Sequence, residues 1–333
     1  VRINSQGVTL KQSDFILTLM SVYWEEGRKE LELFCEQAKK PSENSDPTSY
    51  NGFIKPLPEN MVRTIVGYAF LRGRLRYAYL TLQGKNLEEK SQGTISDQRR
   101  TQNFNKFKQA QERALDLTNW HDFINLIISA GFNNETLISS KTSLYVSYAL
   151  YLLGKDKFNL PHKDLNRIIK RWFFFASLTN RYTGSPESTI EQDFTNIVKS
   201  KTFVEPIETI INTALTKDYW DITLPQAMVS SSAQNTGYQA FLAAQNILDE
   251  YVAFSDIKVR DLLKNQSEVN FKKNPIDKHH LFPKAHLRRK GVASLTDQNQ
   301  VANMIWLEYK DNIKISDNPP VSYWKILTKG MSE

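Results

Sequence analysis

The chain of 333 residues contains a single cysteine, Cys35, and no apolar run long enough to cross a bilayer. One cysteine can form neither an intrachain disulfide nor a thiolate metal cluster, so we interpret Cys35 as a small apolar side chain in a reducing compartment. The first residues also lack the basic stretch followed by an apolar stretch that marks a signal peptide. These absences predict a cytoplasmic protein without a membrane segment.

Histidine is scarce as well, with five residues in the chain, yet three of them fall within DKHHLFPKAHLRRK, residues 277–290. A polar loop on a basic surface would explain such a cluster without any chemistry. Alternatively, adjacent histidines can supply a metal ligand and a general base. A structural zinc site is disfavoured because no cysteine lies nearby.

Positive charge is concentrated in the same part of the chain. The formal net charge is +7, and residues 271–333 hold eleven lysines and arginines against six aspartates and glutamates. Such an excess would raise the local concentration of a polyanion. Two earlier stretches, LRGRLRYAYL and RTQNFNKFKQAQERAL, also interleave basic and aromatic residues, although ordinary helices with a solvated basic face show the same pattern.

Helical periodicity dominates most of the sequence, and no long stretch alternates as a β-strand does. Residues 9–40 predict two helices with a break near Gly27, and the almost wholly apolar SLYVSYALYLL predicts the centre of the core. The composition changes near Lys264 to short β-like pieces with prolines and asparagines. We therefore expect a helical domain over residues 1–265 and a small second domain over 266–333.

Three features of the last 60 residues belong together. His279 and His280 precede Leu281-Phe282-Pro283, which predicts a short strand ended by proline. The apolar run VANMIWLEY predicts a partner strand with Asn303 at its start. YKDNIKISDNPP then predicts a short helix at Asn312, before two prolines. Adjacent side chains on a strand point to opposite faces, so the two histidines need not crowd each other.

A strand with histidine, a strand with asparagine and a helix with asparagine resemble the HNH, or ββα-metal, nucleases. HHLFPKAHL…QNQVANMIWLEYKDNIKISDNPPVSYW is similar to the C-terminal nuclease region of the DUF262/DUF1524 group, which includes the GmrSD-type modification-dependent restriction enzymes. RINSQGVTLKQSDFILTLMSVYW resembles the end of the group's ParB-like domain, and RWFFFASLTNRYTGSPES resembles its helical middle. The resemblance implies a mainly α protein with a large helical domain followed by a small C-terminal ββα-metal domain.

The DGQQR-type motif of that group, which is linked to nucleotide use, is absent from these residues. We therefore expect that the chain is truncated at its N-terminal end and lacks the ParB-like, NTP-related domain.

The resemblance also implies four roles. His280 matches the general base, which must be a neutral imidazole to take a proton from water. His279 matches a ligand of the divalent metal, and Asn312 matches the helix residue that completes the protein ligands. Asn303 matches the residue whose backbone or amide orients the base. The implied cofactor is one divalent metal, Mg²⁺ in the first place, with Mn²⁺ or another divalent ion as alternatives.

Other residues near the cluster have more than one interpretation. His286 fits a surface histidine, a phosphate contact or a spare ligand, and Asp277 is a rival metal ligand. Four basic residues are expected to contact the nucleic-acid backbone or, alternatively, to form a solvated face: Lys284, Arg288, Arg289 and Lys314.

The expected function is a metal-dependent DNA endonuclease, the effector part of a prokaryotic modification-dependent restriction or anti-phage defence protein. Its expected partner is phage or other foreign DNA, and a homodimer is compatible with this function. Two alternatives remain open at the level of the sequence. One is a DNA-binding or regulatory module without turnover, and the other is a nuclease that acts on RNA or as a toxin.

Overall fold

The predicted mainly α class is confirmed by a computed structural model of the chain, in which 66% of the described residues are helical and a two-stranded antiparallel sheet lies near the C-terminal end. The structure describes residues 11–44, 46–86, 95–265 and 276–328, without the side chains of residues 264, 265, 276 and 277. No helix within these ranges is long and apolar enough to span a membrane.

The described part of the chain contains seventeen α-helices and two strands. The first ten helices are α1 (Gln12–Tyr23), α2 (Glu25–Gln37), α3 (Pro58–Phe70), α4 (Leu75–Leu82), α5 (Asp97–Leu115), α6 (Leu117–Ser129), α7 (Lys141–Leu152), α8 (His162–Leu178), α9 (Pro186–Lys199) and α10 (Val204–Ala214). The other elements are α11 (Leu224–Ala227), α12 (Thr236–Ile247), α13 (Val259–Asn265), β1 (Ile276–His280), α14 (Lys284–Arg289), α15 (Leu295–Gln298), β2 (Met304–Glu308), α16 (Tyr309–Ile315) and α17 (Pro320–Leu327).

The chain divides into two compact units. The first lies within residues 1–127 and 140–211, and the second within 128–139 and 212–333. The predicted boundary at 265/266 thus falls inside the second unit. Residues before that boundary bond to the segment between the strands: the Val301 N–H donates to the Met228 carbonyl at 3.0 Å. A separate nuclease domain over residues 266–333 stays a prediction.

The core of the first unit is built around α7, as its apolar sequence predicts. Every residue of α7 from Ser143 to Leu152 is buried, because this helix is surrounded by α3, α5 and α8. Two hydroxyl groups within the core donate to backbone carbonyls: the Thr64 hydroxyl to the Tyr145 carbonyl and the Tyr148 hydroxyl to the Ala114 carbonyl, each at 2.9 Å. These bonds offset the cost of burying polar groups among apolar side chains.

The two helices predicted within residues 9–40 are present, but the position of their break was predicted wrongly. The break occurs at Trp24, and Gly27 is a buried residue inside α2. A Cβ atom at position 27 would lie 2.2 Å from the Trp24 ring, so glycine is required there by close packing. The glycine therefore accommodates the indole and does not interrupt the helix.

The small sheet of the second unit pairs β1 with β2 in antiparallel register, with His280 opposite Met304 and His279 opposite Ile305. One face of β2 is covered by α16 and α17 through a buried cluster of Leu307, Ile315 and Tyr323. The predicted order of strand, strand and helix is therefore confirmed.

Two details of that order differ from the prediction. β1 ends at His280 and does not continue into Leu281 and Phe282, and α16 begins at Tyr309, three residues before Asn312. The two short helices α14 and α15 lie between the strands.

Candidate active site

The last residue of β1, His280, is half-buried and has a defined partner for its ring. Its Nε2 atom lies 2.9 Å from Oδ1 of Asn299. Burial lowers the pKa of His280 below its usual 6.5, and the ammonium groups of Lys284 and Lys278 act in the same direction, whereas the hydrogen bond to Asn299 raises it. The lowered pKa favours the neutral imidazole, the form that can accept a proton.

Asn303 is buried immediately before β2, and its side chain holds the backbone that follows His280. Its Oδ1 accepts from the Phe282 N–H at 2.7 Å, and its Nδ2 donates to the carbonyls of Phe282 and Gln298 at 3.2 and 2.9 Å. Its own carbonyl accepts from the Leu281 N–H at 2.9 Å. Asn303 therefore fixes where the chain leaves β1, whereas the direct contact with the imidazole comes from Asn299.

Asn299 was not identified from the sequence. It follows α15 directly, where its N–H donates to the Leu295 carbonyl at 3.0 Å, and its own carbonyl accepts from the Ser231 N–H at 3.1 Å. Asn299 lies nineteen positions after His280, and no periodic pattern links the two. The available sequence signal was only the polar run DQNQ before the second strand.

His279 and Asn312 lie on the α16 side of the sheet. Cross-strand partners in an antiparallel pair share a face, and Ile305, opposite His279, packs against the cluster formed by α16 and α17. Asn312 is one helical turn before the buried Ile315, so it occupies the sheet-facing side of α16. His280 pairs with Met304 and lies on the opposite face of β1.

As a donor set, an imidazole nitrogen and an amide oxygen suit a divalent ion that keeps several water ligands. Within the described residues, no group of three or more histidine, cysteine, aspartate or glutamate side chains could hold a metal. The side chain of Asp277, the rival ligand, lies outside the described residues. His279 and Asn312 stay the predicted protein ligands.

The basic residues near the cluster differ in how strongly other groups hold them. Lys314 forms an ion pair with the buried carboxylate of Asp311 at 2.9 Å, and Arg289 donates to the Asp317 carbonyl at 3.0 Å. Lys284 is half-buried at the start of α14, and Arg288 is exposed. Arg288 therefore has the most freedom to contact an external phosphate.

Two further side chains surround the candidate base. Lys278 shares the His280 face of β1, where its ammonium donates to the Ser231 carbonyl at 2.7 Å and lies 4.7 Å from the centre of the Tyr238 ring. His286 stacks on Phe282 with ring centres 6.5 Å apart. Lys278 belongs to the electrostatic surroundings of His280, and the stacked position of His286 is compatible with a structural role.

Comparison with known proteins identifies a partial relative. An uncharacterised protein of the archaeon Methanocaldococcus jannaschii is 24% identical over 185 residues, which cover 53% of this chain and 28% of that protein. The chain thus matches less than a third of the length of this relative. No family model matches the chain. No solved structure matches it either.

Proposed function

We propose that this chain is the HNH-type endonuclease part of a prokaryotic modification-dependent restriction or anti-phage defence protein of the GmrSD type. The proposed reaction is the metal-dependent hydrolysis of DNA phosphodiester bonds. The observation that carries the proposal is the strand–strand–helix arrangement at the end of β1. His279 and Asn312 lie on one face of the sheet, and His280, whose pKa is lowered, lies on the other.

In the proposed reaction, His280 removes a proton from the attacking water. His280 is the last residue of β1. A phosphodiester lying across the end of the strand would therefore have this imidazole on one side and the sheet face that carries His279 on the other. Asn303 keeps the chain after the base in place through its bonds to the Phe282 backbone. General-base catalysis of this kind contributes about 10²–10⁴ in rate.

His279 and Asn312 are the residues proposed to hold the divalent metal. When bound, such an ion supplies charge neutralisation for the phosphoryl oxygens and the departing 3′ oxygen. Lys284, Arg288, Arg289 and Lys314 would bind the DNA backbone through phosphate contacts, which carry no sequence information of their own.

The test is a nicking assay with supercoiled plasmid in the presence of Mg²⁺ or Mn²⁺. We expect the wild type to nick the plasmid, His280→Ala to be slower by about 10²–10⁴, and His162→Ala, a change at an exposed histidine of α8, to match the wild type. Thermal melting of each variant checks that the protein is folded. Equal rates for wild type and His280→Ala would overturn the assignment of the base.

A binding measurement separates a nuclease from a module without turnover. Titration of Mn²⁺ should show binding to the wild type, weakened by about 10–100-fold in Asn312→Ala. Metal binding without cleavage of DNA or of RNA would support the non-catalytic alternative. Cleavage of RNA alone would change the substrate and leave the proposed site intact.

A further inference from the structure

The position of Asn299 beside His280 supports an inference that rests on the proposed function and extends it. We propose that Asn299 is a positioning residue. Its side-chain oxygen would hold the His280 ring with Nε2 protonated, so that Nδ1 becomes the nitrogen that accepts the proton from water. The contact that carries this is the 2.9 Å distance between Nε2 of His280 and Oδ1 of Asn299.

The backbone of Asn299 is held from both sides, so its amide has little freedom to move away from the ring. Its N–H bonds to the Leu295 carbonyl and its carbonyl to the Ser231 N–H. The preceding residue, Gln298, is completely buried and donates from Nε2 to the Val292 carbonyl at 2.7 Å. A side chain on such a fixed segment can orient an imidazole at a small cost in conformational entropy.

The partner of one ring nitrogen determines the role of the other. A neutral imidazole carries one N–H and one lone pair, and an amide oxygen can only accept a hydrogen bond. With Oδ1 facing the ring, Nε2 must carry the hydrogen and Nδ1 the lone pair. If the Asn299 amide were turned over, its Nδ2 would donate to Nε2 and the assignment of the two nitrogens would be reversed.

Asn299 and Asn303 therefore have separate tasks at the same site. Asn303 fixes the backbone after the base, whereas Asn299 fixes the ring. An asparagine suits the second task because a neutral acceptor orients the imidazole without adding a negative charge beside it.

The test is ¹⁵N NMR of the metal-free, full chain labelled at histidine, with the His280 signals assigned by comparison with His280→Ala. In the wild type we expect a protonated Nε2 and an unprotonated Nδ1. Asn299→Leu removes the acceptor, so both signals should move towards the average of two exchanging tautomers. Asn299→Asp keeps an acceptor oxygen and should keep the Nε2–H form. Gln300→Leu, a change at the next residue, is the matched control and should leave the signals unchanged.

Nicking kinetics provide the second readout. We expect Asn299→Leu to lower kcat by about 10–100-fold with little change in KM. Asn299→Asp keeps the acceptor oxygen but adds a negative charge that favours the imidazolium, so it should recover only part of the loss. A wild-type spectrum with Nδ1 protonated, or one that Asn299→Leu leaves unchanged, would overturn the role of Asn299 whether or not DNA is cleaved. Failure of the proposed function has a different signature, namely equal cleavage by wild type and His280→Ala.

Discussion

The surroundings of His280 predict how the proposed nicking activity depends on pH. Burial lowers its pKa below 6.5, with Lys284 and Lys278 adding to the effect. Since only the neutral imidazole accepts a proton, kcat/KM for nicking should fall as the pH decreases through the lowered pKa, with the midpoint of this fall below pH 6.5. The measurement is the rate of plasmid nicking between about pH 4.5 and 8. An acidic limb centred above 6.5 would contradict this prediction.

The same shift affects the stability of the folded chain. A histidine whose pKa is lowered by folding contributes stability that is present above pH 6.5, and this contribution is lost as the pH falls through the lowered value.

The ammonium group of Lys284 can be tested separately. Replacing Lys284 with methionine removes a positive charge that disfavours protonation of His280, so the acidic limb of kcat/KM should move to higher pH. Lys290→Met makes the same change at the exposed residue after α14 and should leave the limb in place. Equal shifts in both variants would indicate a general effect of charge.

Asn303 should be a local determinant of stability. Asn303→Ala removes the amide that bonds to the Phe282 N–H and to two carbonyls. Leaving buried backbone groups unsatisfied costs about 1–3 kcal/mol each. We expect hydrogen exchange at the Phe282 amide to be roughly 10–100-fold faster, measured by mass spectrometry. Asn318→Ala, a change at an exposed asparagine, is the control. Unchanged exchange in Asn303→Ala would show that backbone hydrogen bonds are sufficient to hold the residues after β1 in place.

At the scale of the elements, Gly131 lies two residues after the end of α6 and packs against Ala243 of α12. Its φ of +91° lies in the left-handed region, and a Cβ atom there would lie 2.1 Å from the Ala243 carbonyl oxygen. Gly131→Ala should therefore cost about 1–3 kcal/mol for backbone strain and more for the clash. The measurement is the midpoint of thermal unfolding.

Gly291 offers a matched control in the same unit. Its φ is +89°, but a Cβ atom would meet no other atom within 4 Å. Gly291→Ala should show the backbone strain without the clash, so it should lower the midpoint less than Gly131→Ala. Equal losses would mean that the contact with Ala243 relaxes at no cost.

Elements with a strong apolar pattern could be predicted from the sequence, whereas features set by a single contact could not. The buried α7 and the order β1, β2, α16 follow from apolar runs and turn residues. The break at Trp24 depends on how one indole packs against Gly27, which no local pattern records. Likewise, the contact of Asn299 with His280 exists only after the segment between the strands has folded back on β1.

At the scale of the whole molecule, the uneven charge predicts a salt-dependent interaction with nucleic acid. The logarithm of the binding constant falls linearly with the logarithm of the salt concentration. Its slope becomes more negative by about 0.9 for each phosphate of duplex DNA that the protein neutralises. Arg288→Gln should reduce that slope by about one contact, measured by fluorescence anisotropy with a labelled duplex.

The control for Arg288 makes the same change of charge elsewhere. Lys29 lies on α2 and pairs with Glu25 at 2.8 Å, so Lys29→Gln should leave the slope unchanged. If both variants reduced it equally, the net charge of the chain and not a contact at Arg288 would determine binding.

The bonds between Asn303 and the backbone after β1 also affect which changes in chain length the sheet can accommodate. Pairing of the strands is pinned at their ends by bonds between Asn303 and the backbone of residues 281 and 282, so the stretch 284–293 need not set the register. We therefore expect an insertion or deletion in this stretch to leave the histidines on their own faces. A deletion within residues 276–280 would instead exchange the faces of the residues on one side of it.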